Sequence, residues 1–92
     1  MNGNQFIKDP EAKLDYVVDW SAWLEPDADT IATSEWDAPE GLTVESEAAT
    51  NSRATVWLSG GTEGSVYPVV NSIVTAAGRA DERTIYIHVN DK

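Results

Sequence analysis

The sequence predicts an all-β fold, a single antiparallel sandwich, and three observations carry that expectation. The last third of the chain reads as strand, turn, long strand, turn, strand: Ala54–Leu58, then Val66–Thr75, then Thr84–Val89. These runs are rich in β-branched and aromatic residues and are bounded by clusters of Gly, Ser and Asp, which is how strands are punctuated. Period-2 alternation also recurs nearer the start, at Leu14, Tyr16, Val18, Trp20, Ala22 and Leu24. Turn signals fall roughly every 8–15 residues, a spacing typical of sandwiches and barrels.

In chain order, residues 1–12 are polar, are broken by Asp9-Pro10, and read as an N-terminal arm preceding a domain over 13–92. Phe6 and Ile7 are its apolar exception; they either staple the arm to its own domain or dock on a neighbour. The alternation from Leu14 to Leu24 predicts the first strand, with a loose helical period as the competing reading. Glu25–Asp29 is a loop, and Thr30–Trp36 a second strand with alternation weak enough to expect a bulge or an edge. Ala38-Pro39-Glu40-Gly41 supplies a turn into a third strand, Leu42–Glu47. Six strands result, seven if the first strand or the 66–75 run is split, and no helical segment is expected.

Strand phase then picks the core. Ile85, Ile87 and Val89 face inward in the last strand, and Tyr67, Val69 and Ile73 in the one before. The approach Leu58-Ser59-Gly60 to Tyr67 matches the corner at which a sandwich chain crosses sheets, where a Tyr hydroxyl bonds back to loop backbone. Trp20 is the first choice for the tryptophan between the sheets and Trp36 the second. Together these features predict an immunoglobulin-like sandwich without a disulfide, the chain having no cysteine; a flattened barrel fits the same pattern.

Charge narrows the partners. Residues 1–50 hold twelve Asp/Glu against two Lys, and residues 51–92 hold four against four Lys/Arg. An acidic half cannot neutralise phosphates, so nucleic acid is not an expected partner, and anionic membrane surfaces are disfavoured too. The acidity either keeps a surface solvated or complements a basic partner. Neither a secretory start nor a membrane-length apolar run is present, so synthesis in the cytoplasm is expected.

Catalytic equipment is scarce. One histidine, His88, lies on an outward phase, and without cysteine no His–Cys or thiolate scheme is available. Gly60–Gly64 lacks the Lys and the following helix of a phosphate loop and reads as a turn. Asp27 and Asp29 are weak candidates for calcium, since their spacing does not match the twelve-residue site; no metal or other cofactor is expected. The informative residues are aromatic. Trp57, Tyr86 and Trp23 fall on outward phases while Val56, Leu58, Ile85 and Ile87 take the inner ones. Exposed aromatics on a sheet are frequent interface anchors, so Trp57, Tyr86, Trp23, Phe6 and Ile7 are the expected partner-binding set.

Four stretches carry a resemblance. Asp15–Leu24, Val56–Thr62, Ala76–Arg79 and Glu82–Ile85 resemble small immunoglobulin-like virion proteins of tailed bacteriophages, the likeness spanning residues 8–90. It implies a non-enzymatic structural protein of the virion, made in the host cytoplasm, whose partners are capsid or other virion proteins. A homo-oligomer on the particle is a further expectation. The leading expectation is a capsid decoration (cement) protein, with a head–tail or tail adaptor as the alternative. A carbohydrate- or calcium-binding module is the competitor from another class.

Overall fold

In the computed structural model, which describes residues 4–90, the alternating runs become seven strands: β1 (Gln5–Lys8), β2 (Leu14–Asp19), β3 (Ile31–Asp37), β4 (Leu42–Ala49), β5 (Arg53–Gly60), β6 (Val66–Thr75) and β7 (Ala80–Val89). They form a four-stranded sheet of order β1-β7-β6-β3 and a three-stranded sheet of order β2-β5-β4. This is the two-sheet arrangement of an immunoglobulin-like sandwich. Every pairing is antiparallel except β1 with β7, which is parallel.

The seventh strand does not come from splitting a predicted run. It is β1, drawn from the segment read as an arm. Phe6 turns inward and packs its ring 5.1 Å from that of Tyr16, joining the sheets along one side. Stapling is therefore what Phe6 does, while Ile7 points out and is 56% exposed. Lys8 is fully buried, its Nζ donating to the carbonyls of Gly60 (2.7 Å) and Asp9 (2.9 Å). Burial pulls its pKa down, and the Asp9 carboxylate partly opposes that. Deleting these residues would remove core packing, contrary to what an arm implies.

The first strand is also shorter than its alternation suggests, and the expectation of no helix is corrected. β2 stops at Asp19, whose Oδ1 accepts the Ser21 N–H at 2.9 Å and bends the chain. A single helical turn follows, α1 (Ser21–Leu24), then a 3-10 turn over Glu25–Asp27 with Pro26 near its start. Trp20 and Leu24 remain buried, but from a corner and not from a strand.

Both sheets bury their inner phases as predicted: Val56, Leu58, Val69, Ile87 and Val89 are at 0% exposure. Trp20 is fully buried among them, and its Nε1–H donates to Asn71 Oδ1 at 2.9 Å. The Asn71 amide in turn donates to Ser34 Oγ and the Glu35 carbonyl, both at 3.0 Å. One buried side chain thus ties the Trp20 corner to β6 and β3, leaving its own polar atoms satisfied. At the opposite end the Tyr67 hydroxyl accepts the Thr62 N–H at 2.9 Å, which is the predicted corner contact. Gly61 lies beneath it at φ +99°, where a Cβ would sit 2.7 Å from Val89 Cγ2. Only glycine fits both the conformation and the space.

Candidate interaction surfaces

With the inner phases spent on the core, the outward phases define two opposite faces. On the four-stranded sheet, β6 presents Val66, Pro68, Val70, Ser72 and Val74, with Tyr86 on the adjacent β7 and Ile7 one strand further on β1. Val66, Val74 and Ile7 are 50%, 43% and 56% exposed. At about 3.3 Å per residue this apolar row extends roughly 26 Å. Pro68 sits in a ladder position whose partner Tyr86 sends its own N–H to the Asn4 carbonyl, so the missing proline donor breaks no bond there. The charged strand residues on this face are Glu35, Asp37 and Glu82; none of its strand residues is Lys or Arg. His88 bonds Gln5 Oε1 at 2.6 Å between Ile7 and Val66, the two residues paired with it.

The three-stranded sheet shows a different outer face. Trp57, 38% exposed, stands between Asp15 of β2 and Ser46 of β4. Around it lie Val17, Asp19, Thr55 and Ser59, with Ser59 Oγ donating to Glu45 Oε2 at 2.5 Å. Trp57 and Tyr86 are both outward, as the phase predicts, but they sit on opposite sides of the sandwich. They cannot form one patch. Sequence phase fixes only whether a residue points in or out of its own sheet; which sheet it belongs to is decided by the topology.

The third surface is the end that carries α1. All three arginines gather there. Arg79 lies 4.3 Å over the Trp23 ring and pairs with Asp27 (3.1 Å) and Asp29 (3.2 Å). Arg83 lies 4.2 Å over Trp20 and donates to the Asp19 carbonyl at 3.1 Å. Arg53 faces Asp19 at 3.6 Å. Trp23, expected to be outward, is half-buried between Arg79 and the edge of Trp20, with ring centroids 5.4 Å apart. The calcium candidates Asp27 and Asp29 therefore converge on a guanidinium. Asp29 also accepts the N–H groups of Thr30 and Ala77, and its carboxyl is held below the ordinary range first by the Thr75 hydroxyl and then by these donors. Among the described residues no group of three His, Cys, Asp or Glu could hold a metal ion.

Sequence reasoning missed the buried Asn71, the cation–π pairs and the apolar row on β6. Phase alone could have placed Asn71 inside and Val66, Val70 and Val74 outside. The arginine stacks had no such signal, since they join residues more than fifty positions apart.

These features belong to a chain that matches a described protein family. A family model described as podophage GP4 fiber-tail adaptor protein gp77 matches residues 8–88. No individual curated protein matches the chain.

Proposed function

The chain belongs to the podophage GP4 fiber-tail adaptor (gp77) family, a family of phage virion structural proteins, and we propose that it joins fiber to tail through its two opposite sheet faces. An adaptor must hold two partners at once. A sandwich whose two outer faces carry separate anchors meets that need, and this opposition of Tyr86 and Trp57 is the observation that supports the reading. One partner covers the apolar row of β6 with Tyr86 and Ile7. The other docks about Trp57, beside Asp15, and meets that carboxylate with a basic group.

The family description supports the adaptor alternative better than the capsid decoration role expected first. A structural adaptor needs no catalysis, in keeping with the sparse equipment of the sequence. Self-association through the β6 face would bury Glu35, Asp37 and Glu82 of both copies with no Lys or Arg of that face to pair them, which disfavours a homodimer there.

The test is bridging. Purified protein is mixed with fibers and with tails stripped of it, and co-sedimentation is measured for each partner alone. Val66→Ser with Tyr86→Ala should lose one partner and keep the other, and Trp57→Ala should show the reverse. If both variants lose the same partner, or neither loses any, the two-faced adaptor is wrong.

A further inference from the structure

Two of the four tryptophans show how this chain holds a guanidinium. Arg79 lies 4.3 Å over the Trp23 ring while its nitrogens pair with Asp27 and Asp29. Arg83 lies 4.2 Å over Trp20 while donating to the Asp19 carbonyl. In both, an indole face supplies the stack and an oxygen beside it takes the N–H groups. Trp36 is buried in the core. Trp57 is the fourth, exposed on the outer face of the three-stranded sheet, and among the described residues no cation lies over its ring.

Trp57 has carboxylates on both flanks. Asp15 is its direct partner on β2, and facing Cβ atoms in such a pair stand about 5 Å apart. On the other flank Ser59, two residues from Trp57 on the same face of β5, holds Glu45 of β4 through the Oγ to Oε2 bond of 2.5 Å. Among the described residues neither Asp15 nor Glu45 is in an ion pair. The cations of the chain are engaged elsewhere: Arg53 with Asp19, four residues along this face; Arg79 and Arg83 at the α1 end; Lys8 in the core. Lys13 is exposed just before β2, and Lys92 lies outside the described residues. An exposed indole between two unpaired carboxylates is complementary to a flat cation.

We propose that Trp57, Asp15 and Glu45 receive an arginine side chain of the partner protein that docks on this face. Its guanidinium lies on the indole and its N–H groups meet Asp15, as those of Arg79 meet Asp27 and Asp29 over Trp23. Arginine fits better than lysine because its planar, weakly hydrated head stacks and donates sideways at once, whereas an ammonium is a strongly hydrated point charge. That a virion protein carries the arginine rests on the adaptor reading; the chemistry of the site does not.

The test reads the site both without and with a virion partner. The probes are two short peptides, acetyl-Gly-Arg-Gly-amide and acetyl-Gly-Lys-Gly-amide, titrated into the full chain. NMR follows the Trp57 indole N–H, assigned through Trp57→Phe. The arginine peptide should shift that signal further than the lysine peptide of equal charge, and Asp15→Asn should abolish the difference. No shift, or equal shifts, overturns the proposal. In assembly, Asp15→Asn should weaken by about tenfold the same association that Trp57→Ala weakens, and should flatten its salt dependence. The other partner should be unaffected. Glu45→Gln should act in the same direction and less strongly. If Trp57→Ala loses a partner that Asp15→Asn binds like wild type, the arginine site is wrong and the two-faced adaptor stands. Wild type that binds neither fiber nor tail overturns the adaptor reading instead, and the peptide titration then decides the site alone. Lys13→Gln, Lys92→Gln or removal of residues 1–3 should leave the Trp57 signal of the free chain in place. A shift as large as the arginine peptide produces would mean that a cation of the chain itself fills the site, which overturns the proposal.

Discussion

The two outer faces of the sandwich differ far more than the two inner ones. Inside, β5 and β7 bury the same kind of side chain to the same degree: Val56 and Leu58 on one sheet, Ile85 and Ile87 on the other, all at 0–3% exposure. Outside, β6 shows three valines, a proline and one serine, whereas β2 and β5 show Asp15, Val17, Asp19, Arg53, hydroxyls and one tryptophan. Folding requires the inner match, since each sheet must hide one face against the other. Folding requires nothing of the outer faces, which would be equally stable if both were polar. An apolar outer row is therefore information about what the protein meets, not about how it stands up.

The sharpest way to break this comparison is to truncate across it. Ile87→Ala should cost about 2–5 kcal/mol of folding stability through the cavity it leaves. Val66→Ser, on the outward phase of the same sheet, should stay within about 0.5 kcal/mol. Urea unfolding of both variants checks the pair. Similar losses would mean that the outer row is packed against something in the free protein.

Binding should reverse the ranking. Tyr86→Ala and Trp57→Ala each should weaken one association by about 2 kcal/mol or more, as for hot-spot aromatics, while scarcely moving the unfolding midpoint. Titration calorimetry against each isolated partner separates the faces. A loss by both variants toward a single partner would merge the two surfaces into one.

A smaller effect probes the Thr62–Ser65 loop that joins the sheets. Tyr67→Phe leaves the Thr62 N–H without its acceptor and should lower stability measurably, by less than Ile87→Ala and more than Val66→Ser. Thermal unfolding gives the order. A midpoint indistinguishable from wild type would mean that water replaces the hydroxyl at no cost.

The smallest effect is electrostatic and lies at the α1 end. The Asp29 carboxyl is held below its ordinary range in the folded chain. Its contribution is therefore full above about pH 4 and is lost as pH falls through the folded value. The difference in melting temperature between wild type and Asp29→Asn should be widest near pH 6 and narrow toward pH 2. A gap that stays constant over that range would show that the hydrogen-bond geometry matters and the charge does not.

By itself the sequence determined what period-2 alternation can carry. The strands after residue 30, the inward residues Val56, Tyr67, Ile85 and Ile87, and the corner at Tyr67 were all legible, because burying one side of a strand leaves its mark at every second position. The mark fails where the backbone changes course without a change in hydropathy. Trp20, Ala22 and Leu24 continue the alternation of β2 although Asp19 has already turned the chain into α1. It fails again for Phe6 and Lys8, since a four-residue strand is too short to show a period and a buried lysine reads as solvent-facing. Only the tertiary structure decided that Trp57 and Tyr86 look in opposite directions, that Arg79 and Arg83 cap two tryptophans, and that β7 outruns β1. Each is a relation between segments that are local neighbours in space and strangers along the chain. Strand order and register set such relations, and a single strand's pattern does not encode the identity of its neighbour.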